Sequence, residues 1–256
     1  MTTTNDGIDI VYDRASGLGK QVVESLVAQG AFVVIIDINF AGSEKVVATL
    51  GKDHVYFPGS VDVSSEEQVK EALHKGVAQF PQAILAGAII CSGVVWPPHH
   101  LEGYGPENAL TSFEQFKHIV NVNLLGAYNV AQQVANLLVK NDPFDDDGQR
   151  GVIITTSSIM GLDGSLLAYG TSKAGVAGMT LPMARELANF GVRVMSIAPG
   201  PFETPLVHAV PNVQAPTCLF PKRYGRPSEF ADLVLHIIDN PMLNGSVIRL
   251  DGAIRA

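Results

Sequence analysis

The sequence predicts a doubly wound α/β fold, in which a parallel sheet of about seven strands carries helices on both faces. Short apolar segments rich in Val and Ile alternate along the chain with longer segments of helical period. The predicted strands are continuously apolar, which is typical of strands buried on both faces of a parallel sheet. The chain has 256 residues, 46% of them hydrophobic, and no repeat, low-complexity tract or linker divides it. We therefore expect residues 1–256 to form a single domain.

The first half of the chain contains four predicted strands, each a short run of Val, Ile, Ala or aromatic residues. These strands are IDIVY (8–12), AFVVIID (31–37), HVYFPGSVDV (54–63) and AILAGAIICSG (83–93). The segments between them have helical spacing of apolar residues, which predicts helices near 17–29, 43–50 and 64–79. Strand–helix alternation of this kind makes neighbouring strands parallel.

The second half continues the alternation with strands GVIITTSS (151–158), VRVMSIAPG (192–200) and SVIRLDG (246–252). Helices are predicted near 112–139 and 168–189. Ligands of such sheets bind at the carboxyl ends of the strands, near the point where strand order reverses. Two loops at that edge are long, 94–112 and 199–227. We expect these two loops to shape a substrate pocket, with ordinary surface insertion as the alternative.

The net charge of −8 makes some partners unfavourable. Nucleic acids and anionic membranes reward basic patches, so we expect neither as a partner. Much of the excess charge lies in NDPFDDDGQ (141–149), which we interpret as a solvated loop and not as a metal site. No apolar run reaches the roughly 20 residues that span a bilayer.

The two cysteines indicate a reduced compartment. Cys91 and Cys218 form neither a CxxC pair nor a metal-ligand pattern. The first residues, MTTTNDG, are not typical of a signal peptide, and no mitochondrial presequence is visible. We expect a cytoplasmic protein.

A phosphate-binding loop is predicted where the first strand meets the first helix. In RASGLGK (14–20), Gly17 and Gly19 let the backbone approach a phosphate, and the helix offers free N–H groups and a positive dipole end. Asp37 ends the second strand about 20 residues later, where a carboxylate accepts hydrogen bonds from both ribose hydroxyls of a dinucleotide. That carboxylate would repel a 2′-phosphate, so NAD is favoured over NADP. The alternative interpretation of Asp37 is a helix cap or turn residue.

The next two strands end in residues that suit the same ligand. Asp62 and Val63 end the third strand, where the Asp62 side chain can meet an adenine amino group. Cys91, Ser92 and Gly93 end the fourth strand, where a small residue lets the backbone pass the ribose.

A candidate catalytic group follows in AYGTSK, which puts Tyr169 and Lys173 on one face of a helix. A phenol has a pKa near 10 and is a poor base, but a neighbouring ammonium favours the phenolate. We expect Lys173 to lower the Tyr169 pKa and to bind the nicotinamide ribose. Ser158 ends the fifth strand, where its hydroxyl can bind the reacting oxygen. Asn123 lies in the long helix, where its amide can hold a water in a proton relay.

The chain resembles the short-chain dehydrogenases/reductases over essentially its full length. The matching pieces are SGLG, Asp37, Asp62-Val63, the NVNLLGAYNV segment around Asn123, TTSS, Tyr169 with Lys173, and APGPFETP. Further stretches resemble the type 2 3-hydroxyacyl-CoA dehydrogenases, which also act on hydroxysteroids. These stretches are GQRGVIITTSS, GMTLPMARELANFGVRVMSIAPGPFETPL and FPKRYGRPSEFADLVLHIIDNPMLNGSVIRLDGAIR.

The resemblance implies a Rossmann-like fold, an NAD cofactor and hydride transfer between a substrate carbon and the nicotinamide. It implies that Ser158 polarises the substrate oxygen, Tyr169 is the acid/base, Lys173 lowers its pKa and Asn123 supports the relay. The implied cofactor-binding residues are Ser16, Gly17, Leu18, Gly19, Asp37, Asp62, Val63, Cys91, Gly93, Tyr169, Lys173, Pro199, Gly200, Phe202 and Thr204. It also implies a homotetramer or homodimer that pairs the long helices near 112–139 and 168–189.

The glycine-rich loop departs from the family pattern TGxxxGxG. Tyr12 replaces the Thr, Asp13 replaces the first Gly, and Arg14 follows. The Asp13 carboxylate lies near the expected pyrophosphate, which should weaken binding, because like charges repel. Arg14 would offset this by pairing with Asp13 or with a phosphate. The sequence leaves both outcomes open.

Two further departures concern the fourth strand and the catalytic segment. Cys91-Ser92-Gly93 stands where the family has NAG, and a Cys also occurs there in the type 2 subgroup. The segment from Ser158 to Tyr169 is about two residues shorter than usual in the family. Ser157 is therefore an alternative to Ser158.

Three function classes remain. The favoured one is an NAD-dependent oxidoreductase that interconverts a secondary alcohol and a ketone. The second is a non-redox enzyme on the same fold, an isomerase, cyclase or dehydratase, which the altered glycine loop supports. The third is a non-catalytic binding protein, which the intact Tyr169–Lys173 pair argues against.

The substrate prediction comes from the two long loops. The resemblance favours a 3-hydroxyacyl-CoA or a hydroxysteroid, but the only basic residues there are Lys222, Arg223 and Arg226. The loops are instead rich in apolar and aromatic residues, Trp96, Tyr104, Phe202, Leu206, Val207, Leu219 and Phe220. This favours an uncharged, bulky steroid- or terpenoid-like substrate, with core packing of these residues as the alternative. The predicted substrate-binding residues are Ser158, Trp96, Phe202, Leu206 and His208. His99 and His100 are interpreted as surface or pocket-lining residues, and no metal is expected.

Overall fold

The structure is a computed structural model that describes residues 7–12 (backbone only), 16–91, 93–95, 110–205 and 218–255. Its strands are β1 (Gly7–Tyr12), β2 (Phe32–Ile36), β3 (Val55–Tyr56), β4 (Ile84–Ile90), β5 (Gly151–Thr156), β6 (Val192–Pro199) and β7 (Val247–Leu250). Its helices are α1 (Gly17–Ala28), α2 (Phe40–Leu50), α3 (Glu66–Gln79), α4 (Phe113–Val120), α5 (Gly126–Leu138), α6 (Ile159–Asp163), α7 (Leu167–Leu187) and α8 (Pro227–Asp239). A π-helical turn (Asn121–Leu125) joins α4 to α5, and a 3₁₀ turn (Ala188–Phe190) follows α7.

In the described part of the chain, the seven strands form one sheet in the order β3-β2-β1-β4-β5-β6-β7. Every neighbouring pair is parallel. The strand order reverses between β1 and β4, so their carboxyl ends flank the position where such sheets bind ligands. The predicted doubly wound parallel sheet is confirmed.

Both faces of the sheet are buried, as continuously apolar strands require. On β2, Val34 and Ile36 pack with residues of α3, α5 and α7 on one face. Val33 and Ile35 of the same strand pack with residues of α1, α2 and α8 on the other face. The helices therefore form two layers that leave the carboxyl edge of the sheet for a site.

Several element boundaries differ from the prediction. β3 is much shorter than 54–63, because Pro58 and Gly59, whose φ is +111°, interrupt strand geometry. α2 begins at Phe40, since the Asn39 side chain caps it by accepting a hydrogen bond from the Gly42 N–H at 3.2 Å. The long helix predicted at 112–139 is divided by the π turn. α6 and α8 lie outside the predicted pattern.

Two further features concern membranes and metals. Within the described ranges, no helix combines the length and apolarity needed to cross a membrane. The same ranges contain no group of three or more His, Cys, Asp or Glu side chains placed to hold a metal ion.

Candidate active site

Tyr169 and Lys173 lie one turn apart on α7, at the carboxyl end of β5. Lys173 is almost fully buried, and its Nζ donates a hydrogen bond to the carbonyl oxygen of Thr156 at 2.8 Å. The same Nζ lies 6.0 Å from the centre of the Tyr169 ring. The helix spacing therefore brings both side chains to the edge where the sequence predicts them.

Ser158 lies beside Tyr169, whereas Ser157 does not. Ser158 is the N-cap of α6, and its Oγ accepts a hydrogen bond from the Met160 N–H at 3.2 Å. Its side chain also hydrogen-bonds the Tyr169 phenol. Ser157 Oγ instead donates to the Ile197 carbonyl oxygen at 3.1 Å, because successive residues in extended backbone point to opposite sides. The alternative that Ser157 replaces Ser158 is not supported by this placement.

The environment of Tyr169 favours the neutral phenol. Burial raises the pKa of Tyr169, and the hydrogen bond with Ser158 lowers the pKa by less. Lys173 Nζ binds the Thr156 carbonyl oxygen and lies 6.0 Å from the centre of the ring, and the lowering of the Tyr169 pKa by Lys173 stays a prediction from the sequence. A protonated phenol beside a serine hydroxyl can donate a proton to a substrate oxygen.

Asn123 lies in the π turn and is almost fully buried. Its Nδ2 donates to the carbonyl oxygen of Val94 and to Ser172 Oγ, both at 3.0 Å, while its Oδ1 accepts from the Val94 N–H at 2.7 Å. Both amide hydrogens are thus used within the protein. A water of the proton relay predicted from the sequence would therefore donate a hydrogen bond to Asn123 Oδ1, because the two Nδ2 hydrogens already have partners. The Asn123 side chain also ties the segment after β4 to α7.

The described part of the loop between β1 and α1 brings a glycine in left-handed conformation to the start of the helix. Gly17 has a φ of +69°, which favours glycine, and a Cβ there would contact the Thr204 side chain at 3.4 Å. Ser16 precedes it in extended conformation, Gly19 is buried, and Leu18 packs against the core. The start of α1 therefore lies directly against Thr204, which follows β6.

Asp37 is almost fully buried at the end of β2. Its Oδ1 accepts a hydrogen bond from the Asn39 N–H at 2.8 Å, so the side chain also shapes the turn into α2. This is the turn role that the alternative interpretation assigned to it. The bond fixes the position of a carboxylate at the ligand edge.

The segment after β3 and the end of β4 supply the next predicted residues. Asp62 and Val63 do not end the third strand as predicted, because β3 ends at Tyr56. Asp62 Oδ1 accepts hydrogen bonds from the N–H and Oγ of Ser64 at 2.9 and 2.7 Å. Val63 is buried, and a Cβ on Gly126 would lie 2.6 Å from its side chain. Cys91 is half-buried. A Cβ on Gly93 would lie 2.9 Å from Lys173 Nζ, so glycine at this position makes room for the lysine.

Of the predicted residues that end or follow β6, Pro199 and Gly200 lie at the carboxyl edge of the sheet and Phe202 lies in the core. The N–H of Gly200 donates to the Leu250 carbonyl oxygen at 2.9 Å, directly after Pro199 at the end of the strand. Phe202 is buried and meets Phe230 edge-on, with ring centres 6.3 Å apart. Phe202 therefore packs in the core, as the alternative interpretation of the loop residues states.

Several predicted residues lie outside the described residues. They are the side chain of Tyr12 and all of Asp13, Arg14, Ser92, Trp96, His99, His100, Tyr104, Leu206, Val207 and His208. Leu219 and Phe220 are described, and both are exposed.

The described edge fits a nicotinamide dinucleotide. A Cβ at Gly17 or at Gly93 would fill space beside Thr204 or Lys173, and a carboxylate stands at the end of β2. The hydroxyl pair of Ser158 and Tyr169 lies at the same edge, after β5.

Comparison with known proteins agrees with this geometry. The short chain dehydrogenase family profile matches residues 10–214. The 3-hydroxyacyl-CoA dehydrogenase type-2 of Homo sapiens is 43% identical over 255 residues, covering 97% of this chain and 95% of its own. Ipsdienol dehydrogenase of Ips pini is 34% identical, covering 100% of this chain and 99% of its own.

Solved structures show the same fold. The crystal structure of 3-hydroxyacyl-CoA dehydrogenase type-2 from Mycobacterium avium has a TM-score of 0.87 and 32% identity, covering 100% of this chain and 99% of its own. That of 3-ketoacyl-(acyl-carrier-protein) reductase from Brucella melitensis, complexed with NADH, has a TM-score of 0.83 and 24% identity, with 98% of both chains covered.

The chain therefore belongs to the short-chain dehydrogenase family. It is an oxidoreductase that acts on CH–OH groups and uses a nicotinamide dinucleotide. Its predicted resemblance to the type 2 3-hydroxyacyl-CoA dehydrogenases is confirmed.

Proposed function

We propose that this protein interconverts a secondary alcohol and a ketone on an apolar substrate with NAD as cofactor. The observation that carries the proposal is the contact between Ser158 and Tyr169, with buried Lys173 one turn away, at the carboxyl edge of the sheet. The chain acts in this proposal as one domain, because its described strands form a single seven-stranded sheet.

The proposed mechanism assigns a separate task to each side chain. Ser158 Oγ binds the substrate oxygen and orients it toward the Tyr169 hydroxyl. Tyr169, whose pKa is raised by burial, carries the proton that ketone reduction requires and takes it back in alcohol oxidation. A bound nicotinamide supplies the hydride donor or acceptor. Lys173 offers a fixed positive charge that stabilises the phenolate once the proton has left.

The same edge supports the roles proposed for the remaining residues. Ser16, Gly17, Leu18 and Gly19 would hold the pyrophosphate; Asp62 and Val63 would hold the adenine; Cys91, Gly93, Pro199, Gly200 and Thr204 would line the nicotinamide half. Asn123 would support proton exchange from beside Lys173. Trp96, Leu206 and His208 lie outside the described residues, and their contact with the substrate is proposed from the sequence alone.

The preference for NAD over NADP is proposed from Asp37. Its carboxylate is held by the Asn39 N–H at the end of β2, so it cannot turn away from an incoming 2′-phosphate without losing that bond. Electrostatic repulsion then disfavours NADP.

The substrate is proposed to be 3-hydroxyacyl-CoA-like or steroid- or terpenoid-like. The names of two relatives, 3-hydroxyacyl-CoA dehydrogenase type-2 and ipsdienol dehydrogenase, support a hydroxylated substrate. Exposed Leu162 and Leu167 lie on the connection between Ser158 and Tyr169, and exposed Leu219 and Phe220 lie at the end of the second long loop. These side chains favour an apolar body next to the reacting carbon.

We also propose that the protein is a homotetramer or homodimer. Phe113 on α4, Tyr128 on α5 and Leu181 on α7 are exposed, and Leu125 is exposed in the π turn between α4 and α5. Apolar surface of this kind on long helices supports self-association. The cytoplasmic location remains a prediction from the sequence.

The proposal is tested by calorimetric titration with NAD, NADH, NADP and NADPH, followed by assays with 3-hydroxyacyl-CoA, hydroxysteroid and terpenoid alcohols. We expect NADH to bind more tightly than NADPH, and Asp37→Asn to reduce that preference about tenfold. The triple variant Tyr12→Thr, Asp13→Gly, Arg14→Gly is the matched control. Binding by this variant alone, with none by the unaltered protein, would overturn the redox proposal and favour the non-redox alternative.

A further inference from the structure

Arg249 joins three separate parts of the chain. It lies on β7, and its two terminal nitrogens pair with Asp163 Oδ1 and Oδ2 at 2.6 and 2.8 Å. Its Nε pairs with Asp251 Oδ2 at 2.7 Å, and its Nη2 also donates to the Ile254 carbonyl oxygen at 2.8 Å. The guanidinium therefore links β7 and the C-terminal segment to the last residue of α6.

The ion pair with Asp163 is partly removed from water. The side chains of Arg249, Asp163 and Asp251 are 23%, 11% and 8% exposed. Both oxygens of Asp163 are used by a planar fork of donors, which fixes the direction of the carboxylate as well as its distance. Such a pair constrains the backbone that carries it more than an exposed pair would.

α6 needs external contacts of this kind, because a helix of five residues is unstable by itself. At its N-terminus, Ser158 caps the Met160 N–H. On its inner face, Gly161 lies so close to α7 that a Cβ would approach the Ala174 N–H nitrogen to 2.4 Å. At its C-terminus, Asp163 is held by Arg249.

The short connection from α6 to Tyr169 transmits the position of α6. Gly164 and Leu166 both have left-handed backbone, with φ of 79° and 57°, and α7 begins directly afterwards. The Gly170 N–H donates to the Leu166 carbonyl oxygen, and a Cβ on Gly170 would collide with the Ser165 carbonyl oxygen. A displacement of α6 would therefore move Ser158 at one end and the start of α7 at the other.

We propose that Arg249 is a positioning residue for the reaction, which holds Asp163 so that α6 keeps Ser158 in hydrogen-bond contact with Tyr169. This inference rests on the proposed function of Ser158 and Tyr169. Arg249 acts through α6 and does not touch the substrate.

The experiment compares Arg249→Gln with Arg249→Lys, Asp163→Asn and the control Arg150→Gln. Arg150 also ties chain segments together, since it donates to the carbonyl oxygens of Asn141 and Phe190, but it lies before β5 at the opposite edge. We expect Arg249→Gln and Asp163→Asn to lower kcat about tenfold to a hundredfold, as misplaced catalytic groups do. NADH affinity should stay within about twofold, because the dinucleotide residues lie on other segments. Arg249→Lys should recover part of the loss.

A double variant tests whether the two side chains act as a unit. Arg249→Gln combined with Asp163→Asn should lose no more kcat than the larger single loss. Arg150→Gln should keep the kcat of the unaltered protein, even if its melting temperature falls as far as that of Arg249→Gln. An Arg249→Gln protein with the kcat of the Arg150→Gln control would overturn the inference, and so would fully multiplicative losses in the double variant.

A spectroscopic measurement separates this inference from the proposed function. The ultraviolet titration of the Tyr169 phenol is obtained by subtracting the matching Tyr169→Phe protein. Among the described residues, Ser158 and Lys173 place polar groups against this side chain. Losing the Ser158 contact should move the titration in Arg249→Gln to higher pH by comparison with Arg150→Gln. If the unaltered protein converts no alcohol or ketone, the proposed function fails, and an unmoved titration then overturns the role of Arg249 as well.

Discussion

Arg193 and Arg249 lie on neighbouring strands, but their guanidinium groups bind different partners at opposite edges of the sheet. Arg193, near the amino end of β6, donates to the carbonyl oxygens of Ile237, Ile238 and Leu243, each at 2.9 Å, where α8 ends. Arg249, near the carboxyl end of β7, binds the carboxylates of Asp163 and Asp251.

The two arginines differ because the first binds carbonyl oxygens at the end of a helix and the second binds carboxylates. The last carbonyls of a helix have no partner within the helix and carry the negative end of its dipole, so a buried cation at α8 satisfies several acceptors at once. Burial lowers the pKa of Arg193, which is the expected result of removing a guanidinium from water. At the other edge, the pairing of Arg249 with Asp163 holds the end of the short helix α6 in place. The amino edge thus uses arginine for stability, and the carboxyl edge uses it for the geometry of the site.

The largest effect on activity is expected from Tyr169→Phe. Removing the proton donor should lower kcat/KM by about 10²- to 10⁴-fold, which is the range for general acid–base catalysis. The free energy of unfolding should change by about 1 kcal/mol or less, since the ring remains. Steady-state kinetics and urea unfolding measure the two quantities. A large loss of stability with retained activity would mean that Tyr169 has a structural role and no catalytic one. The two edges of the sheet would then not differ in the way proposed.

The reverse pattern is expected from Arg193→Met. The carbonyls at the end of α8 would lose a charged donor in a buried site, so the free energy of unfolding should fall by about 3 kcal/mol. The kcat of the folded fraction should stay unchanged, because Arg193 lies at the amino ends of the strands and Ser158 lies at their carboxyl ends. Urea unfolding gives the first value, and active-site-normalised kinetics gives the second. A kcat loss as large as that of Arg249→Gln would contradict the division between edges.

The smallest effect is expected at the other end of α8, where Arg223 pairs with Glu229 at 2.6 Å. The hydrogen bond from Arg223, and after it the one from the Arg226 N–H, lower the pKa of Glu229 to about 2. A lowered carboxyl pKa stabilises the fold above the unfolded value of 4.5, and this stabilisation is lost as pH falls toward 2. The contribution should stay below about 1 kcal/mol, because the Glu229 side chain is 39% exposed.

The measurement for Glu229 compares unfolding of the unaltered protein and Glu229→Gln at neutral pH and near pH 3. The difference between the two proteins should be present at neutral pH and shrink in acid. A difference that grows in acid would reverse the sign of the linkage.

The sequence predicts the sheet well, because the strand segments are continuously apolar and the turn residues between them are clear. α8 also has readable signals, with Pro227 at its first position, Glu229 in its first turn and apolar residues at helical spacing. α6 has no such signal, since five residues are too few to show a period. Its place is fixed by Arg249, which lies 86 residues further along the chain.

The site is predicted less completely than the fold. Spacing alone places Tyr169 and Lys173 together, but it does not reveal that Lys173 turns toward Thr156. The choice between Ser157 and Ser158 depends on which of two successive extended residues faces Tyr169, and the sequence does not mark this. The partners of Asn123 lie 29 and 49 residues away, so only the folded chain brings them together.

The π turn between α4 and α5 constrains the length of the chain as well as its composition. A π turn holds one residue more than a regular helical turn, and each α-helical residue advances the helix by about 100°. Deleting one residue between Asn121 and Leu125 would give an unbroken helix but turn α5 against α4, and Asn123 would leave Val94 and Ser172. Relatives that keep this site should therefore tolerate substitutions in the interval far more readily than a change in the number of residues.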